Sequence, residues 1–143
     1  MLTKSLKDTF LKFCKENKFE KNAQQIEIIN LLSKFIKPKK NFFNLILKSE
    51  TKLCFYLFGD VGVGKTMILD YFYEFIQVPK KKVHFNEFMI DFHDYRHTKK
   101  EKNKENSIYS FVQEIKKKNK LIYLDEFQVT NIVDAMILGK LFE

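Results

Sequence analysis

The eight residues Gly59-Asp60-Val61-Gly62-Val63-Gly64-Lys65-Thr66 constrain this chain more than any other stretch, and they hold three of its four glycines. Glycine reaches backbone angles closed to other residues, so such a run can bend until successive amide N–H groups point inward. On one side lies Lys52–Phe58 (KLCFYLF), a nearly unbroken apolar run of the kind expected of a strand buried on both faces. On the other, Met67–Ile76 (MILDYFYEFI) reads as a helix ending near Val78-Pro79. A match to GxxxxGK[ST] set between strand and helix is a cradle for phosphate groups. Amides of the turn and of the helix N-terminus would take the phosphate oxygens, Lys65 would reach the β- and γ-phosphates, and the Thr66 hydroxyl would ligate magnesium. The expected cofactors are ATP and Mg2+, bound by Gly59, Asp60, Val61, Gly62, Val63, Gly64, Lys65 and Thr66.

A second apolar strand, Leu121-Ile122-Tyr123-Leu124, runs into Asp125-Glu126. The carboxyl end of a buried strand is the rim on which open α/β sheets bind ligands. By itself such an ending says little, because many strands stop at a solvated acid; downstream of the glycine loop it is the loop's natural partner. Asp125 is expected to hold magnesium, directly or through water. Glu126 is expected to orient and deprotonate the water that attacks the γ-phosphate, so Lys65 and Glu126 are the expected catalytic pair. His84, His93 and His97 lie close together, but no Cys or carboxylate spacing supports a metal site among them. Tyr71-Phe72-Tyr73 reads as helix core.

Around these motifs, apolar spacing predicts helices over part of residues 1–20, over Ala23–Ile36 before Lys37-Pro38, over Ile108–Lys118 and over Ile132–Phe142. Residues 41–50 read as either a third helix or a connection. Val83-His84-Phe85 is a further expected strand, Glu87–His97 a helix or loop, and residues 98–106 (TKKEKNKEN), without one apolar side chain, an exposed and mobile loop. The expected architecture is α/β: a P-loop parallel sheet flanked by helices (residues 51–143), behind an N-terminal helical segment (residues 1–50).

The chain's 143 residues, 45% hydrophobic and 31% charged, suit a folded soluble chain with a real core. The net charge of +8 rests on lysine, since Arg96 is the sole arginine. Lysine lacks the planar fork that reads bases or phosphates bidentately, so no specific nucleic-acid partner is expected. Cys14 and Cys54 sit in apolar surroundings without metal or redox spacing, as reduced buried thiols do. No secretory signal or membrane-length apolar run is visible, and the expected compartment is the cytoplasm.

Three blocks, YLFGDVGVGKTMILDYFYEF, KKVHFNEFMIDFH and LIYLDEFQVTNIVDAMILGKLF, together resemble the ZapE cell-division ATPases and their mitochondrial Afg-type relatives in the AAA+ superfamily. Ala23-Gln24 is similar to the start of the family's shared region, so the resemblance covers about residues 20–143. It implies an AAA+-like fold, an oligomer, and ATP hydrolysis that remodels a protein partner, the FtsZ division ring for bacterial members and inner-membrane proteins for mitochondrial ones. It gives Gly59–Thr66 the ATP-cradling roles, Asp125 the magnesium and Glu126 the water. Asn86 and Asn131 stand where relatives are expected to carry His and Asp. Family members continue past this last helix to a sensor strand, an arginine finger and a lid, so the chain is expected to be an incomplete domain with a gap in its sheet, binding ATP weakly with little turnover. Two alternatives remain: a nucleotide-dependent binding module without turnover, and a helicase-loader-like P-loop protein associated with nucleic acid.

Overall fold

The structure, a computed structural model, describes residues 5–36, 54–99 and 104–142. It divides into two compact units, Met1–Ile76 and Gln77–Glu143.

The first unit is helical. Helix α1 (Leu6–Glu16) opens on Ser5, whose hydroxyl oxygen accepts from the Asp8 amide at 3.1 Å, with Asp8 in the first turn where the helix dipole favours an anion. Leu6, Phe10 and Cys14 recur every four residues and are its buried stripe. Lys18, in the left-handed region at φ 56°, turns the chain toward α2 (Ala23–Ile36). The Asn22 side chain starts α2 by accepting from the Gln24 amide at 2.9 Å, and Ile29 and Leu32 are its buried residues. Helix α3 (Lys65–Phe75) buries Ile68 and Phe72, and its Tyr71 ring packs edge-on against Phe10 at 5.1 Å. The glycine loop therefore leads into a helix anchored on α1 and α2.

The strand expected over Lys52–Phe58 is not found in its described part. Residues 54–58 have no regular structure, and Tyr56 and Phe58 are 64% and 79% exposed. A strand buried on both faces is a property of its neighbours, and among the described residues no strand pairs with this one; apolar content alone cannot close a ladder. Phe55 instead packs against Phe35 of α2, ring centroids 6.0 Å apart.

In the second unit, β1 (Lys80–His84) and β2 (Leu121–Asp125) pair in parallel, Lys80 opposite Leu121 and His84 opposite Asp125. Parallel neighbours need a long crossover, and α4 (Phe85–Lys99) and α5 (Lys104–Lys118) supply it; α6 (Ile132–Phe142) follows β2. Phe85 opens α4 and does not end the strand, because Phe85, Phe88, Met89 and Phe92 line one helical face and all enter the core. They meet Phe111 and Ile108 of α5 and Ile137 and Leu138 of α6, with Phe92 and Phe111 at 5.3 Å, edge to face. Of the loop expected over 98–106, residues 98–99 belong to α4 and residues 104–106 to α5; lysine and glutamate are good helix formers. Residues 41–50 and 100–103 lie outside the described residues. Among the described residues, no helix is long and apolar enough to cross a membrane.

Candidate functional site

In the first unit, Gly59, Gly62 and Gly64 all have positive φ, at 149°, 83° and 86°. Side chains are strained at such angles, so the pattern of glycines follows from the bend. Gly64 is the N-cap of α3, which leaves the amides at the start of that helix directed to the loop. The Lys65 ammonium donates back to the Gly59 carbonyl at 2.8 Å and to the Asp60 carbonyl, so the loop curls around its own cation. Val61 is fully exposed and Thr66 exposed at the helix start.

One contributor was not legible in the sequence. The Gln25 amide of α2 donates to the Val63 carbonyl at 3.2 Å. A cleft of about 600 Å³ opens beside it, lined by Phe19, Ala23 and Gln25 from the α1–α2 corner and by Gly62, Gly64 and Met67. The sequence pointed to Ala23-Gln24, but no local spacing ties position 25 to position 63.

In the second unit, Asp125 ends β2 with its side chain only 16% exposed. Its Oδ1 accepts from the Glu126 amide at 3.1 Å and the Tyr123 hydroxyl at 3.3 Å, and its Oδ2 lies 3.2 Å from the Lys82 ammonium. Glu126 follows at φ 52° with its side chain 79% exposed, 3.9 Å from His84 Nδ1. A non-glycine residue in that region costs about 1 kcal/mol, and such strain collects at functional sites. Phe127 packs on Phe85 at 4.9 Å and fixes where the strand exits. Asn131 accepts from the Val133 amide at 2.8 Å and so does the capping work that Asp would do at the start of α6. The histidines do not converge on a metal: His84 faces Glu126, and His93 pairs with Asp134 of α6 at 3.4 Å.

A family model described as AFG1-like ATPase matches residues 11–143, a span that includes both the glycine loop and the acid strand. The chain belongs to the AFG1-like ATPase family. Among curated relatives of this family, lactation elevated protein 1 homolog B of Danio rerio is 43% identical over 99 residues, and an uncharacterized protein of Schizosaccharomyces pombe 34% over 93. Cell division protein ZapE of Escherichia coli is 32% identical over 89 residues. Each match takes in 62% of this chain but only 20–23% of the relative, so the matched part spans about a fifth of their length. No solved structure matches the chain. The description of the family as ATPases implies nucleotide binding at the level of the family, and the helix-rich α/β chain with a small parallel sheet is consistent with part of a P-loop fold.

The donor set suits magnesium held partly by phosphate. Among the described residues no group of three or more His, Cys, Asp or Glu could hold a metal by itself. Magnesium in nucleotide sites takes one or two carboxylates or hydroxyls and completes its shell with phosphate and water. Within the second unit the Asp125 carboxylate, already beside a cation at Oδ2, is a donor of that kind, and within the first unit so is the exposed Thr66 hydroxyl.

Proposed function

We propose that the chain is the nucleotide-handling part of an ATPase that hydrolyses ATP to ADP and phosphate to remodel a protein partner. The observation that carries this reading is the glycine loop: three positive-φ glycines curl the backbone around the Lys65 ammonium at the head of α3. In this reading Gly59–Thr66 hold the triphosphate, Thr66 and Asp125 hold its magnesium, and Glu126 deprotonates the attacking water. Magnesium bound there would supply charge neutralisation at the phosphates. Lys65, released from the loop carbonyls, turns its charge to the phosphates, and the exposure of the Glu126 carboxylate leaves it open to water. One relative is named a cell division protein, which supports a role in cell division; the FtsZ ring as partner, and an oligomer in the cytoplasm as working form, are proposed on the family resemblance alone.

The test is ATP turnover and nucleotide binding by the natural polypeptide that carries this chain. Lys65→Ala is expected to remove Mg·ATP binding in calorimetry. Glu126→Gln is expected to keep binding and lower turnover by about a hundredfold or more, the usual scale for a general base. Full turnover in both variants rejects the roles given to the two residues.

A further inference from the structure

We propose that Lys82 is a tethered counter-ion for Asp125, whose ammonium stands in the carboxylate's cation position and must give way before a divalent metal binds there. The inference rests on the reading of Asp125 as the magnesium-bearing acid and adds what controls its access. Its origin is the strand register. Lys82 lies opposite Tyr123 on the neighbouring strand, and the two-residue period of a strand puts Tyr123 and Asp125 on one face of the sheet. The other face carries Val83, Ile122 and Leu124 into the core. Lys82 is thus kept on the polar face, where its ammonium lies 4.9 Å from the Tyr123 ring centroid and 3.2 Å from Asp125 Oδ2.

The three groups act as one clasp. The Tyr123 hydroxyl and the Glu126 amide hold Oδ1, the ammonium holds Oδ2, and the carboxylate is aimed without any metal present. Both partners are partly withdrawn from water, with side chains 33% and 16% exposed, so the attraction is less screened than in an open surface pair. A divalent cation brought to Oδ2 meets the ammonium as a like charge at contact range. Lys82 therefore sets how much free metal is needed to load Asp125, and it does so as a positioning residue without touching nucleotide.

Mn2+ titrated into the full chain with ADP present at saturation, to supply the phosphate part of the metal's shell, and free metal followed by electron paramagnetic resonance, tests this. Lys82→Met, which keeps the stem against Tyr123 and removes the charge, is expected to tighten Mn2+ binding about three- to fivefold, the scale of a partly exposed ion pair. Lys82→Arg keeps the charge and is expected to behave as the parent, whereas a merely structural role for the lysine predicts that Lys82→Met weakens Mn2+ binding and does not tighten it. In an Asp125→Asn background the effect of Lys82→Met should vanish. If Asp125→Asn weakens Mn2+ binding while Lys82→Met leaves it unchanged, the counter-ion role is wrong and the metal role of Asp125 stands. If Asp125→Asn binds Mn2+ as the parent does, or neither binds, Asp125 is no ligand and both readings fall.

Discussion

The Gln25 side-chain amide donates to the Val63 carbonyl at 3.2 Å, joining a helix and a glycine loop that lie 38 positions apart in sequence. The contact falls next to the tightest glycine of the loop. A Cβ at Gly64 would lie 2.8 Å from Gln25 Nε2, so the space that Gly64 leaves open is the space that the amide uses.

Gln25→Ala is expected to weaken ADP binding about two- to tenfold, the net worth of one hydrogen bond that shapes a loop before its ligand arrives. Because the bond is solvent-accessible, global stability should change by less than about 0.5 kcal/mol. Calorimetry with ADP, set beside thermal unfolding, checks both halves; unchanged affinity means the bond does not shape the loop.

Gly64→Ala and Gly62→Ala both force a side chain to positive φ, at a strain of about 1–2 kcal/mol each. Only the first also meets Gln25, since nothing lies within 4 Å of a Cβ at Gly62. Thermal unfolding should therefore show Gly64→Ala and Gln25→Ala combining less than additively, while Gly62→Ala and Gln25→Ala add. Additivity in both pairs would remove the steric link.

Glu126 sits at φ 52°. Glu126→Gly relieves strain of about 1 kcal/mol and loses a similar amount to the freer unfolded chain, so its melting temperature should stay close to that of the parent. Glu126→Val, branched at Cβ, should melt lower. Both should lose ATP turnover in the parent polypeptide. Equal melting of the glycine and valine variants would show that the backbone there is not constrained.

Cys14 is buried and Cys54 exposed. Burial raises the Cys14 thiol above its ordinary pKa by disfavouring the thiolate. Iodoacetamide at mildly alkaline pH should label Cys54 in the native chain and Cys14 only after denaturation. The folded chain holds this proton more tightly than the unfolded chain. The thiol's contribution to stability is thus intact below the ordinary thiol pKa and lost as pH rises through the raised one. A Cys14→Ser variant should show less of that alkaline loss.

Phe92 is 1% exposed among Phe111 and the other rings of the second unit, whereas Ile90, two residues earlier on α4, is 59% exposed. Phe92→Ala should cost about 3–5 kcal/mol in denaturant unfolding and Ile90→Ala less than about 0.5. Similar losses would mean that α4 buries a different face.

Helices α2 and α6 match the ranges read from apolar spacing, and β2 was legible as an apolar run closed by an acid. In these elements one stripe or run carries the whole signal, and no distant partner is needed to see it. The Lys52–Phe58 run shows the opposite case: it has the composition of a buried strand, and residues 54–58 form none. The start of α4 at Phe85 was misread because VHF suits a strand as well as a helix; the four-residue spacing to Met89 and the core beneath it decide the matter.

By itself the sequence carried the family, together with the order of glycines, lysine and adjacent acids from which the site is proposed, since each is a property of residues close along the chain. Only the tertiary structure decided that Gln25 reaches Val63, that Lys82 pairs with Asp125 and that residues 54–58, before the loop, form no strand among the described residues. Hydrogen bonds, ion pairs and ladders join residues far apart along the chain, and which partners meet is set by packing and register, which no local pattern encodes.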